Sequence, residues 1–212
     1  TRSAGCIIND YFDQDFDKKV ERTKNRVLAT KQVSNPEALI LFGLLISICF
    51  ILLLMLGLKI ILFAGFSLFL LVLYPLTKRY FKMPQLILGL AFGSSIPMVF
   101  ILEKDMIDTN CILLYIITIM WAITYDTYYA MADKKDDKKI GIKSSAIFFG
   151  DKDIIYSLVL HYLALSLFVV IGILNSFSII YYFFLLISVL CIIFQHLLAK
   201  NKIQYQCISA FE

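Results

Sequence analysis

Charge is scarce in this chain. Of its 212 residues only 17% are Asp, Glu, Lys or Arg, while 60% are hydrophobic. An ordinary soluble domain carries roughly a quarter charged residues and about half apolar ones. That imbalance excludes a water-soluble globule. Histidine is scarcer still: His161 and His196 lie in late apolar runs with no carboxylate near them in sequence, which assigns them to hydrogen bonds between packed helices and not to chemistry. The five cysteines (Cys6, Cys49, Cys111, Cys191 and Cys207) are scattered, with neither metal-ligand spacing nor a disulfide framework. Inside apolar runs they act as small buried hydrophobes. The ends lack their usual signals as well. The chain starts at Thr1 without a methionine, in a stretch that reads as the second half of a helix, and stops at Glu212 with no capping signal. The expectation is therefore a chain truncated at both ends.

What replaces charge is a set of apolar runs long enough to cross a bilayer, which takes roughly 20 residues per helix. After a partial span ending near Asn9, six runs follow: about Pro36–Leu56, Ile60–Thr77, Gln85–Leu102, Asn110–Ala130, Ile154–Leu174 and Phe177–Ala199. The fold class expected is all-α, a polytopic transmembrane helix bundle, with 1–212 forming a single transmembrane domain. Ser34-Asn35-Pro36-Glu37 supplies a cap, a proline and an early carboxylate for the first full span. Gly57 should let the next two spans form a tight hairpin.

These spans place four loops on one face, holding seventeen of the twenty Lys and Arg residues. Lys59 and Lys104 occupy the other face, and Arg2 lies in the partial helix. Cytoplasmic loops carry the excess of Lys and Arg, so the basic face is predicted to be cytoplasmic. The net charge of +4 is thus a signal of membrane sidedness and not of nucleic-acid binding. Lys19, Lys24, Lys135, Lys138 and Lys139 read as topology signals or contacts to anionic lipid.

Two acidic clusters open on that face. In the first, Asn9, Asp13 and Asp17 stand four residues apart, drifting about 40° and rising about 6 Å per step on a helix. They form one polar stripe. In the second, Asp126, Asp133 and Asp137 are spaced by seven and four residues. The alternative is that these are solvated helix ends, with Asp15, Asp136 and also Asp10 only keeping the loops soluble. Carboxylates at membrane depth are costly and usually pair, face a cavity or serve a function. Like charges stacked on one helix face need a counter-charge. Oxygen ligands without sulfur or imidazole favour Mg²⁺, which binds one or two carboxylates plus substrate phosphate oxygens.

At these residues the chain resembles the UbiA superfamily of intramembrane aromatic prenyltransferases. Its Asn-x3-Asp-x3-Asp pattern is matched by Asn9, Asp13 and Asp17. Its second motif, as found in the 4-hydroxybenzoate polyprenyltransferase branch, resembles Tyr125-Asp126-Thr127-Tyr128-Tyr129-Ala130-Met131-Ala132-Asp133 with Ile140-Gly141-Ile142-Lys143-Ser144-Ser145-Ala146 after it. Lys18 to Leu28, and Tyr74-Pro75-Leu76-Thr77-Lys78-Arg79-Tyr80 with Pro84-Gln85 and Gly93 to Met98, look like the same branch. One departure is Val27, where the family usually has a proline; it bears on the local loop shape.

The resemblance implies a nine-helix bundle of the UbiA prenyltransferase type, of which this chain would lack the first helix, part of the second and the last. It implies an integral, multi-pass enzyme of the bacterial inner membrane, or alternatively the mitochondrial inner membrane. That enzyme would act in ubiquinone biosynthesis. Mg²⁺ held by Asn9, Asp13 and Asp17 on one side and by Asp126 and Asp133 on the other would bind a polyprenyl diphosphate. Arg22, Arg26, Lys78, Arg79 and Lys143 would contact the departing diphosphate, with Arg79 the favoured cation. The ring of 4-hydroxybenzoate would attack the allylic cation, with Tyr125, Tyr128 or Tyr129 as aromatic faces for it. Interfacial belt tyrosines are the alternative for those three. Trp121, Phe92 and other aromatics would pack the bundle or line its cavity.

Other acceptors of the family, such as homogentisate, dihydroxynaphthoate or haem, are the nearest rivals. An intramembrane phosphotransferase acting on a CDP-alcohol would require Asp-Gly-x2-Ala-Arg, which the chain lacks. A cation or lipid transporter would place its acidic groups near the bilayer midplane on broken helices, not at one interface.

Overall fold

A computed structural model describes residues 2–211, and among these the regular structure is helical throughout, with no strand. The elements are α1 (Arg2–Asp17), α2 (Asn35–Leu54), α3 (Leu58–Tyr80), α4 (Pro84–Gly93), α5 (Ser95–Lys104), α6 (Thr109–Ile140), α7 (Ser145–Phe149), a 3₁₀ turn (Gly150–Lys152), α8 (Asp153–Leu174), α9 (Ile179–Ala199) and α10 (Gln204–Phe211). Taking α4 with α5 and α7 with α8, six segments are long and apolar enough to cross a membrane.

Local chemistry explains the boundaries. The Ser34 hydroxyl accepts from the Glu37 amide, and the Glu37 carboxylate accepts from the Ser34 amide at 2.8 Å. This reciprocal cap, with Pro36 in the first turn, starts α2 where the sequence places it. Between α2 and α3 the chain reverses at Gly57, whose φ of 90° suits a residue without Cβ.

Three spans differ from their predicted bounds. α3 continues to Tyr80, so Lys78 and Arg79 ride on its last turn and not in a loop. Cations there are favoured by the helix dipole, and both find acceptors on α1. The third span is broken at Ser94 into α4 and α5. Pro97 has no N–H to offer the Gly93 carbonyl, while the Ser94 hydroxyl bonds the Ala91 carbonyl at 2.6 Å and is met by Ser67. α6 runs for 32 residues, about 48 Å against roughly 30 Å of hydrocarbon. Its last turns project beyond the apolar layer and carry Asp133, Asp136 and Asp137.

α6 is the central helix, packed by α4, α8 and α10. α4 comes very close: a Cβ at Gly93 would lie 2.7 Å from the Tyr115 ring, and one at Gly89 would lie 3.0 Å from the Ile119 carbonyl. Small residues four apart allow such an approach in lipid, where packing and not water drives association. Around α6 the buried set is rich in alanine: Ala122, Ala130, Ala146, Ala164 and Ala199. α2 and α9 instead turn large apolar side chains outward, including Leu44, Ile51, Phe184 and Phe194. In water this surface would drive aggregation; in a bilayer it meets its solvent.

At the basic face an ion triad locks three helix ends. The fully buried Asp153 accepts from Lys134 on α6 at 2.6 Å, from Lys202 in the α9–α10 turn at 2.8 Å, and from the Ile154 amide at 2.8 Å. At the other face Asn110 and Asn175 exchange amide hydrogen bonds at 3.0 Å. His161 corrects the hydrogen-bonding role expected for it. It is buried edge-on to Trp121, with ring centroids 5.1 Å apart, and its Nδ1 has no partner among the described residues. Aromatic packing holds it.

Candidate functional site

Asn9, Asp13 and Asp17 do form one stripe along α1, and Asp13 and Asp17 are buried. A buried carboxylate needs a partner, and each has one. The Lys78 ammonium donates to Asn9 Oδ1 at 2.8 Å and to Asp13 Oδ2 at 2.6 Å. Arg26 donates from Nη1 to Asp17 Oδ2 at 3.0 Å and to Asp10 Oδ1 at 2.7 Å. Asp10 therefore belongs to this network and is more than a solubilising group, correcting the sequence reading.

Arg22 and Arg26 come from the segment between α1 and α2, which folds as successive turns: the Lys24 amide bonds the Val20 carbonyl at 2.9 Å and the Arg26 amide bonds that of Thr23 at 2.9 Å. Buried Val20, Thr23, Leu28 and Ala29 anchor it, and the four-residue spacing directs both guanidinium groups to the acidic site. Arg22 donates to Asp133 from Nε at 3.0 Å and again from Nη2, and its Nη1 meets the Tyr129 hydroxyl. Its Cζ sits 4.0 Å from the Tyr129 ring centroid. Burial works against the charge on both arginines, but Asp133 at Arg22 and Asp17 and Asp10 at Arg26 outweigh it, holding each above its ordinary pKa. Burial also raises the Asp17 carboxyl, against the pull of Arg26.

Asp126 is held differently. The Tyr74 hydroxyl and the Gln85 amide both donate to its Oδ2 at 3.1 Å, and among the described residues no ion pair or hydrogen bond falls on Oδ1. Gln85 is itself oriented by the Ser145 amide, which donates to its Oε1 at 2.8 Å. One turn of α3 thus joins the two motifs, with Tyr74 on Asp126 and Lys78 on Asp13. Lys78 and Arg22 also lie close enough to influence both Asp126 and Asp137 electrostatically.

The remaining candidates sit around this centre. Arg79 donates to the Phe12 carbonyl at 3.0 Å and lies 5.3 Å from the Phe16 ring centroid, at the exposed edge of α1. Lys143 sends its ammonium to the Tyr80 carbonyl at 2.9 Å, and its amide bonds the Lys78 carbonyl at 2.8 Å, so its backbone braces the end of α3. Tyr125 is half-buried one turn from Tyr129 on α6. Tyr128 faces away: it is fully buried with Met131, Ala146, Ile154 and Ala199, stacked on His161. Tyr74 and Gln85 were not singled out as site residues. Their signals were a tyrosine four residues before Lys78 and a glutamine just after Pro84 at the start of an apolar run.

Six carboxyl groups (Asp10, Asp13, Asp17, Asp126, Asp133 and Asp137) share this site with three closely bonded cations, Arg22, Arg26 and Lys78. Three formal negative charges remain to be balanced by something positive. The donors are carboxylate and amide oxygens, which suit a hard divalent cation. Among the described residues no three acidic, imidazole or thiol groups converge to cage an ion. The described set is thus unlike the closed four-ligand arrangement of a structural zinc site. It fits an ion that takes one or two carboxylates and completes its shell with water and phosphate, for which Asp126 Oδ1 is open.

Residues 1–211 match the UbiA prenyltransferase family. The chain is 43% identical over 210 residues to the 4-hydroxybenzoate octaprenyltransferase of Enterobacter sp. (strain 638), covering 99% of this chain and 73% of that protein. It is 43% identical to the enzyme of the same name from Pseudoalteromonas translucida (strain TAC 125), covering 72% of it. Among solved structures, the fold is similar to the apo structure of a UbiA homolog from Aeropyrum pernix K1, with a TM-score of 0.85, 24% identity, and coverage of 99% of this chain and 80% of that one. A digeranylgeranylglyceryl phosphate synthase structure is matched with a TM-score of 0.68 at 24% identity, covering 98% of this chain and 74% of that one.

Proposed function

The chain belongs to the UbiA prenyltransferase family, and from that premise we propose how its buried ion network carries out prenyl transfer. The protein is a multi-pass membrane enzyme that moves a polyprenyl group from its diphosphate to the ring of 4-hydroxybenzoate, a step of ubiquinone biosynthesis. Asn9, Asp13 and Asp17 on one side, and Asp126 and Asp133 on the other, would hold Mg²⁺ beside the donor's diphosphate. The bound Mg²⁺ supplies positive charge that neutralises the diphosphate and makes it a better leaving group.

The chain's own groups do the rest. Lys78, Arg22 and Arg26 reach the same oxygens from α3 and the α1–α2 turns and bond the diphosphate as its C–O bond breaks. Arg79 and Lys143, at the rim, bind its outer oxygens. Tyr129 and Tyr125 turn their rings to the electron-poor prenyl carbon. Burial of Asp13, Asp17 and Asp133 keeps bulk water from capturing the allylic cation. The ring carbon beside the acceptor's hydroxyl forms the new C–C bond and then loses its proton to the released diphosphate, a base that the reaction itself supplies. The basic face is cytoplasmic, where the charged groups of both substrates meet the site, and the membrane is the bacterial inner membrane.

One observation carries this reading: a single turn of α3 ties Asp13 to Asp126 through Lys78 and Tyr74, so both motifs serve one site. The test is transfer of a labelled prenyl group by the full-length protein in membranes. Asp13→Asn and Asp126→Asn should each lower transfer by about 100-fold or more, the scale of losing one electrostatic stabiliser. Retained activity in both overturns the clamp. Product formed only from other aromatic acceptors overturns the assignment of 4-hydroxybenzoate.

A further inference from the structure

The carboxylates assigned to the metal are not idle in this structure. Lys78 holds Asn9 and Asp13, Arg26 holds Asp10 and Asp17, and Arg22 holds Asp133. Only 8% of the Asp13 side chain and 9% of the Asp17 and Asp133 side chains are exposed, so each of these carboxylates meets a cation in a confined space. A divalent ion taking these carboxylates competes with an ammonium or a guanidinium for their charge. A displaced cation in a half-buried site needs a new anion.

Resting on the function proposed above, we infer that Lys78, Arg22 and Arg26 are exchangeable counter-ions: they occupy the metal's ligands in its absence, are released when it binds, and are thereby handed to the diphosphate. Metal and diphosphate then bind with positive coupling, and neither binds well alone.

Three further observations fit the exchange. The cations ride on long, flexible arms, one on the last turn of a helix and two on a turn-rich segment, so they change partners without moving a helix. Two of them already rest near aromatic faces: Lys78 Nζ lies 4.8 Å from the Tyr74 ring centroid, and Arg22 Cζ lies 4.0 Å from that of Tyr129. A cation freed from its carboxylate stays held there. Asp126, in contrast, is bonded by neutral donors on one oxygen, so a metal can engage it before any ion pair breaks. Entry begins at Asp126 and exchange follows at Asp13 and Asp133. An empty site is therefore partly neutralised by its own cations, and the metal and the prenyl donor's head group complete it together.

The experiment is Mn²⁺ binding by electron paramagnetic resonance on the purified full chain in nanodiscs, first with Mn²⁺ alone and then with inorganic pyrophosphate. Lys78→Met should bind Mn²⁺ alone about tenfold more tightly than the wild type, within the roughly 5–150-fold range of ordinary couplings. Pyrophosphate should tighten Mn²⁺ binding less in the variant than in the wild type. If Lys78 only contacted diphosphate, the variant's affinity for Mn²⁺ alone would be unchanged; if it only braced the site, that affinity would fall. Either result overturns the exchange. Arg26→Gln gives an independent reading in the same direction should Lys78→Met fail to fold. A wild type that binds no Mn²⁺ even with pyrophosphate overturns the metal clamp itself, whereas a wild type that binds it with no gain in either variant overturns the exchange alone.

Discussion

The Lys134–Asp153–Lys202 triad offers the sharpest test of how the basic face is held. Asp153 is fully buried, and its two oxygens receive three donors at 2.6–2.8 Å. Removing one partner of a buried pair costs about 3–5 kcal/mol, because a charge is left without compensation. Here the stranded cations are partly solvated: the Lys134 side chain is 15% exposed and that of Lys202 is 37% exposed. The lower end, about 3 kcal/mol, is therefore expected for Asp153→Ala. At roughly 2–4 °C per kcal/mol for a chain of this size, the melting temperature should fall by about 6–12 °C. Thermal unfolding in detergent, followed by circular dichroism, measures it. The exposures also fix an order: Lys134→Met must destabilise more than Lys202→Met, whose ammonium keeps more of its water. Pairing Lys134→Met with Asp153→Leu should recover most of the loss, since well-packed apolar groups substitute for a buried ion pair with little net cost. A fall of less than about 2 °C for Asp153→Ala, or the reverse order of the lysines, refutes the reasoning.

The other expectations concern packing, the site and its metal. Gly93→Leu puts a side chain where even a Cβ would stand 2.7 Å from the Tyr115 ring, and should cost about 1–3 kcal/mol in thermal unfolding. Gly43→Ala, with nothing within 4 Å of its Cβ, should instead stabilise α2 by about 0.5–1 kcal/mol. Tyr74→Phe and Gln85→Leu each remove a donor that orients Asp126, so the apparent affinity for Mg²⁺ in prenyl transfer should weaken by about 10–100-fold; an unchanged Mg²⁺ titration would rule out that role. Chelation with EDTA should abolish transfer, with Mg²⁺ restoring it and Zn²⁺ failing to, because the site offers only oxygen ligands.

Those outcomes depend on features that were unequally legible. The spans could be read because a bilayer imposes length and apolarity residue by residue, and the common face of the two acidic clusters followed from counting spans. Helix ends were harder. α6 outran its apolar stretch because a helix can continue into water on propensity and capping, which hydropathy does not report. Ser94 broke a run that hydropathy reads as continuous, since a missing proline N–H and a serine hydroxyl act on backbone bonds and not on polarity. Asp10 lies off the Asn9–Asp13–Asp17 stripe, so helix spacing does not reveal that the Arg26 guanidinium bonds it together with Asp17.

The least legible part was the pairing of charges, and the reason is physical. A sequence shows which carboxylates share a helix face, but their partners come from other helices and are fixed only by packing. Lys78 meets Asp13 across 65 residues, and Arg22 meets Asp133 across 111. Lysines read as sidedness signals, such as Lys24 and Lys139, lie on the surface and pair with acids within one turn. The same residue types, placed a few positions away on α3 and in the α1–α2 turns, neutralise the site from within. Membrane burial forces this double use. Six carboxyls gathered at the edge of a bilayer cannot remain uncompensated in the empty state, so the cations that mark the basic face must also stand in for the metal. On the exchange proposed above, their removal and their return would be part of every catalytic cycle.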